Sequence, residues 1–101
     1  MLLPAWLFME VAVCCDGEQP MEVYYTLETE LPGATIGDLA LRLYELEDGS
    51  VLVGDVRFHY WDVMRKRWYV GVRSATHGAE IGATLNRLDQ ALVSLGWNPY
   101  P

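Results

Sequence analysis

The side chains of this chain that could catalyse a reaction or hold a metal ion are few in type. The two cysteines, Cys14 and Cys15, are adjacent, and the two histidines, His59 and His77, lie far from them along the sequence. A metal site needs several such ligands at matched spacings, and a catalytic cysteine needs an electropositive environment that lowers its pKa. Both cysteines instead lie in an apolar segment of the acidic half. We therefore predict no metal, no cofactor and no cysteine nucleophile.

Glu28 and Glu30 are an acidic pair whose spacing would suit catalysis. Alternate residues of a strand point to the same side, about 7 Å apart. Glycosidases use carboxylates at similar separations, but theirs come from separate elements that line a deep cleft. The glycine-containing segment 78–82 also lacks the lysine and the spacing of a phosphate-binding loop. No enzymatic activity is expected.

A short basic segment with aromatic neighbours suits single-stranded nucleic acid. The candidate residues are Trp61, Arg65, Lys66, Arg67 and Trp68. Basic side chains attract the phosphate backbone, and aromatic rings stack on bases, but the net charge of −7 repels phosphate at longer range. The same residues also suit a solvated hairpin tip that discourages aggregation at the sheet edge, or a contact with the acidic surface of a second copy in a homodimer.

Charge is distributed unevenly along the chain. Residues 1–50 carry a net charge of −9 and residues 51–101 a net charge of +2. Carboxylates can replace phosphates in a basic protein groove because they pair with arginine in the same bidentate way, and opposite fields speed association. The candidate partner-binding residues are Glu22, Tyr24, Glu28, Glu30, Tyr44, Glu45, Glu47 and Asp48. The alternative is that these acids form an ordinary solvated surface.

The length and composition predict one globular domain over residues 1–101. Hydrophobic residues make up 51% of the chain and charged residues 21%, which is typical of a folded protein with a single core. No apolar run approaches the roughly 20 residues that cross a bilayer, so no membrane partner is expected. Adjacent cysteines in a strand point to opposite faces and do not bridge each other, which favours a reducing, cytoplasmic setting.

Alternation of apolar and polar residues predicts the strands. Residues 5–15 are apolar at nearly every position, which indicates a central strand covered on both faces. Residues 21–31 alternate and predict a half-buried strand with an acidic solvent face. Residues 35–47 fit a helix or a strand, and we favour a strand because the turn at 47–50 suits a hairpin. A second hairpin is predicted around the basic turn at 63–66. In its first strand, Val56, Phe58 and Tyr60 are expected on one face, and Gly54 is a candidate bulge.

An amphipathic helix is predicted at residues 80–95. Its apolar stripe consists of Ile81, Leu85, Leu88, Leu92 and Leu95. Gly96 is the expected stop, and the following residues are not expected to continue the helix. The predicted fold is α+β, an antiparallel sheet of four to five strands with one C-terminal amphipathic helix packed on one face.

Residues 69–80 read Tyr-Val-Gly-Val-Arg-Ser-Ala-Thr-His-Gly-Ala-Glu and join the last predicted strand to this helix. Thr76 is the candidate N-cap. The segment resembles one found in small phage-encoded proteins, in particular type I anti-CRISPR proteins. The resemblance implies an inhibitor that acts in the host cytoplasm, binds a CRISPR effector complex and blocks recognition of target DNA. It implies no particular site residues.

We therefore expect a non-enzymatic protein-binding inhibitor whose acidic sheet face docks on a basic groove. The partner would be a CRISPR effector or another nucleic-acid-binding protein. The alternatives are a weak single-stranded nucleic-acid binder that uses the hairpin tip at residues 61–68, and a small structural or assembly protein.

Overall fold

Six strands and one helix make up the part of the chain that this computed structural model describes, which is residues 1–32, 40–45 and 51–100. The strands are β1 (Leu2–Cys15), β2 (Met21–Pro32), β3 (Ala40–Glu45), β4 (Val51–Asp62), β5 (Arg67–Gly78) and β6 (Asn98–Tyr100), and the helix α1 (Ile81–Ser94) follows β5. All six strands belong to one sheet, in the order β3-β4-β5-β1-β2-β6. No helix among these residues combines the length and apolarity needed to cross a membrane.

The predicted α+β fold with one C-terminal helix is confirmed. The stretch 35–47 contains strand β3, in agreement with the favoured interpretation, while its first residues and the predicted turn at 47–50 lie outside the described residues. The three-residue strand β6 is the one described strand that the sequence pattern does not predict, because it follows the helix without any apolar alternation.

Strand β1 lies inside the sheet and pairs along most of its length with both neighbours. It is antiparallel to β2, from Leu2 opposite Pro32 to Val13 opposite Met21, and parallel to β5. The other described strand pairs are antiparallel. The sheet is therefore mixed and mostly antiparallel, in agreement with the predicted mostly antiparallel sheet, and the pair of β1 with β5 is its parallel one. Turn residues define the two hairpins, but local sequence does not fix the direction in which two hairpins meet.

The hydrophobic core lies between α1 and one face of the sheet. Leu7, Met9, Val11 and Val13 point from β1 to this side and are buried, together with Leu92 of the helix. Complete burial of an aliphatic side chain of this size contributes about 1.5–3 kcal/mol to stability. The odd-numbered residues of β1 therefore anchor the helix to the sheet.

The opposite side of the sheet is here termed the open face, because no described helix or strand packs on it. On β1 it is formed by Trp6, Phe8, Glu10, Ala12 and Cys14, all half-buried. The prediction that β1 is covered on both faces is therefore wrong for this side, where rings on adjacent strands shield one another instead. Cys15 is buried on the helix side, 3.9 Å from the hydroxyl oxygen of Thr84, so the two cysteines do face opposite sides.

Glu80 caps the N-terminus of α1. Its carboxylate accepts hydrogen bonds of 2.8 Å from the amides of Ala83 and Gly82. These bonds stabilise the charged form and lower the pKa of Glu80. Thr76, the cap expected from the sequence, lies inside β5, so that prediction is wrong. Strand β5 continues to Gly78, beyond the residues whose alternation predicts a strand.

The C-terminus of α1 ends at a glycine, as predicted. Gly96 has a φ of 97°, a left-handed conformation that glycine adopts at little cost. In this conformation the amide of Gly96 donates to the carbonyl of Val93 and that of Trp97 to the carbonyl of Leu92, which satisfies groups that the helix leaves free. Trp97 is buried in the core, while Leu95 of the predicted stripe is exposed.

Replacement of Leu92 by alanine tests this assignment of the core. Leu92 has 0% of its surface exposed and Leu95 has 52%. We expect Leu92→Ala to lower the free energy of unfolding by about 2–5 kcal/mol because it leaves a cavity. The control Leu95→Ala should change it by less than about 0.5 kcal/mol. Urea titrations followed by tryptophan fluorescence measure both, and equal losses would contradict the assignment.

Candidate interaction surface

A bulge in β4 decides which of its side chains reach the open face. The register with β5 shifts between Val56 and Phe58, so Arg57 is the extra residue. An extra residue reverses the alternation of a strand. Val56 packs against the core, whereas Phe58 and Tyr60 lie on the open face. The predictions of a bulge at Gly54 and of one common face for these side chains are therefore wrong, since Gly54 is paired regularly with β3.

The bulge brings Tyr60 directly beside Tyr69 of β5. The two rings are stacked, with 5.2 Å between centroids and 11° between planes. Next to them, the ring of Phe58 fills the space above Gly71, where any larger residue would collide with it. Strands β4 and β5 thus contribute a continuous aromatic surface.

Aromatic rings continue from Tyr69 across the rest of the sheet. The Trp6 centroid lies 5.4 Å from that of Tyr69 and 6.1 Å from that of Phe8. Phe8 in turn lies 5.6 Å from Tyr24 and 5.4 Å from Tyr100, spacings typical of favourable ring pairs. We term this set the aromatic row: Tyr60, Tyr69, Trp6, Phe8, Tyr24 and Tyr100. Both end residues, Tyr60 and Tyr100, remain 53% exposed, so a ligand could contact them.

Three of the predicted partner-binding carboxylates stand on the open face beside the aromatic row. Glu22, Glu28 and Glu30 are exposed on β2, and Tyr24 lies on the same side. The alternation predicted for this strand is confirmed. Among the remaining candidates, Tyr44 and Glu45 lie on β3, where the structure describes the backbone, and Glu47 and Asp48 lie outside the described residues.

Two acidic residues lie next to Tyr24. Its oxygen donates a 3.0 Å hydrogen bond to Oε2 of Glu22, and Glu10 lies opposite Tyr24 on β1. The hydrogen bond to Glu22, followed by the negative charges of Glu22 and Glu10, raises the pKa of Tyr24. Glu22 and Glu10 therefore place negative charge at this end of the row.

Two arginines converge on the hydroxyl group of Tyr69. Arg67 donates to it from Nη2 at 2.8 Å and from Nε at 3.2 Å, and Arg65 donates from Nη1 at 2.9 Å. The guanidinium carbon of Arg67 also lies 4.9 Å from the centroid of the Tyr69 ring, within the range of a cation–π contact. The hydrogen bonds from Arg67 and then Arg65 stabilise the phenolate and lower the pKa of Tyr69.

Ion pairs cross β1 and join the two sides of the open face. Nη1 of Arg67 lies 3.4 Å from Oε1 of Glu28, and Nη2 of Arg73 lies 4.0 Å from Oε1 of Glu22. Such exposed pairs contribute only about 0–1 kcal/mol to stability. The charges of the β2 carboxylates are thus partly neutralised, and their ion pairs can change partners at little cost in free energy.

The five residues of the predicted nucleic-acid site do not share one surface. Trp61 and Trp68 pack edge to face, 5.7 Å apart, on the helix side, where Trp68 contacts the core. Arg65 and Arg67 instead contact Tyr69 on the open face. Lys66 occupies the turn between β4 and β5 with a φ of 55°. The sheet therefore separates the predicted stacking rings from the predicted phosphate-binding arginines.

Sequence reasoning missed Trp6, Phe8 and Tyr100 as candidate surface residues. Trp6 and Phe8 belong to a segment that is apolar at nearly every position, a pattern that predicts burial on both faces. Tyr100 lies beyond the helix, in a segment without strand alternation. The usable signal is the aromatic pair at alternate positions of β1, which must place both rings on one face.

Comparisons with protein-family models, with curated proteins and with solved structures gave no match to this chain. Residues 69–80 run along β5 to the N-cap of α1. Two of its residues, Tyr69 and Arg73, contribute side chains to the open face.

Tyr69 and Tyr24 should respond in opposite directions when their charged neighbours are neutralised. Arg67→Gln removes the donors that stabilise the Tyr69 phenolate, so we expect the pKa of Tyr69 to rise toward its ordinary value. Glu22→Gln removes the acceptor and the negative charge beside Tyr24, so the pKa of Tyr24 should fall. NMR titration of the tyrosine ring carbons measures both. Glu18→Gln, in the turn after β1, is the control, and an equal effect from it would contradict these local causes.

Proposed function

We propose that the chain is a non-enzymatic protein-binding inhibitor whose open face docks on a basic surface of a nucleic-acid-binding partner. The observation that carries the proposal is the aromatic row, which crosses five adjacent strands beside the exposed carboxylates of β2. Protein interfaces are enriched in Tyr, Trp and Phe at their centre and carry polar residues at the rim. The open face has this arrangement.

The size of the open face supports a protein partner. Five strands and the span of β1 from Trp6 to Cys14 give roughly 19 Å by 27 Å, or about 500 Å². This is more than half of the roughly 800 Å² that each protein buries in a standard interface. Extended apolar surface of this kind commonly marks an interaction site.

The charge of the carboxylate side favours a basic groove. Glu28 and Glu30 project from β2 and are exposed, so they can meet arginine or lysine residues that would otherwise hold phosphates. The resemblance of residues 69–80 to anti-CRISPR proteins makes a type I CRISPR effector complex the first partner to test. In such a complex the chain would occupy the place of target DNA.

Charge reversal at Glu28 and Glu30 tests the proposal. We expect the wild-type chain to prevent target-DNA binding by a purified type I effector complex, measured by electrophoretic mobility shift. The double variant Glu28→Lys/Glu30→Lys should lose this inhibition at least ten-fold, because two attractive contacts become repulsive. Its thermal unfolding should stay near that of the wild type, since exposed pairs contribute little.

Glu18→Lys is the matched control, because it makes the same charge change in the turn after β1, away from the open face. It should inhibit as well as the wild type. Full inhibition by the folded double variant would reject docking through β2. A wild-type chain that leaves DNA binding unchanged would reject the CRISPR partner.

A single-stranded nucleic-acid binder remains the second candidate, on the basis of one observation. Arg65 and Arg67 flank the stacked rings of Tyr60 and Tyr69 on the open face, and rings beside arginines can stack on bases. A fluorescent oligothymidine should then bind at low salt, with affinity that falls as a power of the salt concentration. No binding at low salt would exclude this candidate.

A further inference from the structure

Arg67 shows how the open face holds a guanidinium group. Its contact with the Tyr69 ring, its hydrogen bonds to the Tyr69 hydroxyl and its ion pair with Glu28 combine an aromatic ring with a carboxylate. The same group lines a shallow recess together with Pro4, Glu28 and Glu30. One aromatic–carboxylate position of the open face is therefore filled by an arginine of the chain itself.

A second aromatic–carboxylate position lies at the other end of the row. The planes of Phe8 and Tyr24 are within 21° of each other, while Tyr100 stands at 83° to Phe8. These three rings form what we term the aromatic corner. The carboxylate of Glu22 accepts the hydrogen bond from Tyr24, and Glu10 lies opposite Tyr24 in the ladder.

Arg73 neutralises this position only in part. Its guanidinium reaches Glu22 only at 4.0 Å, and its register neighbours are Glu10 on one side and Asp55 on the other. Glu22 and Glu10 therefore share one arginine, whose other register neighbour is Asp55. The charge beside the aromatic corner stays negative, and a further cation is attracted there.

We infer, on the basis of the proposed function, that the aromatic corner binds an arginine side chain of the partner in preference to lysine. A guanidinium group is planar, stacks on aromatic rings and donates in a fixed fork to a carboxylate, whereas an ammonium group is a compact and strongly hydrated charge. The perpendicular rings and the carboxylate of Glu22 offer both kinds of contact. The internal contact of Arg67 has the same chemistry.

Replacement of Arg67 distinguishes an arginine-rich ligand from a phosphate-rich one, because the two ligands should change affinity in opposite directions. Removal of Arg67 frees Glu28 and the Tyr69 ring for a second arginine of the partner and removes a positive charge. Arg67→Gln should therefore bind an arginine-rich ligand more tightly. A ligand rich in phosphate would lose affinity in the same variant, because it would lose an attractive cation.

Two fluorescein-labelled peptides of equal charge provide the test, one with five Arg-Gly-Gly repeats and one with five Lys-Gly-Gly repeats. Fluorescence anisotropy at low salt should show the arginine peptide binding at least about three-fold more tightly, as expected for exposed cation–π contacts. Tyr100→Leu and Phe8→Leu should remove this preference. Arg67→Gln should tighten binding of the arginine peptide about two- to five-fold, and the control Glu18→Gln should leave the preference intact.

Several outcomes would overturn the inference. Equal binding of the two peptides, with loss in Glu28→Lys/Glu30→Lys, would leave the proposed docking on a basic partner standing and reject the arginine preference. No binding of either peptide, or weaker binding by Arg67→Gln, would reject it as well. A stable dimer in light scattering that Trp6→Glu dissociates would show that a second copy covers the open face. A wild-type chain that prefers the arginine peptide but leaves DNA binding by the effector unchanged would reject the CRISPR partner and not the arginine preference.

Discussion

Parallel pairing of β1 with β5 is the constraint on which the rest of the structure depends. It sets Leu7 beside Val70 on the helix side and Trp6 beside Tyr69 on the open face. Each hairpin alone would hold only part of the core and part of the aromatic row. A two-stranded hairpin is marginally stable in water, so joining the hairpins is what makes both surfaces continuous.

The same ladder also positions the helix. At its end Cys15 lies opposite Gly78, and the side chain of Thr84 occupies the space where a residue larger than Gly78 would place its Cβ. The hydroxyl of Thr84 donates to the carbonyl of Glu80 within the first turn of α1, which fixes the orientation of the side chain that packs against Gly78 and Cys15. Helix α1, with 14 residues, covers one face over β1 and β5. No described helix or strand covers the opposite face, which carries the aromatic row.

Local sequence patterns account for the elements but not for their arrangement. The alternation of β2, the stop at Gly96 and the hairpin at the basic turn depend on neighbours in the chain, so all could be predicted. The ion pair of Arg67 with Glu28 joins residues 39 positions apart, and no local pattern indicates it. The bulge at Arg57 is equally hidden, because Arg57 has none of the backbone freedom that makes glycine the usual signal for a bulge. This one residue decides whether Tyr60 or Trp61 joins the open face.

The charge asymmetry of the sequence has a different meaning once the strands are placed. Acids of β2 face arginines of β5 across β1, so the open face carries mixed charge although the two halves of the chain differ strongly. In the proposed complex a partner would therefore exchange ion pairs such as Arg73 with Glu22, and such an exchange changes the free energy little. Net charge then governs the rate of approach more than the choice of partner. In the proposed complex, discrimination between partners would then fall to the fixed geometry of the rings, above all to the perpendicular pair of Phe8 and Tyr100.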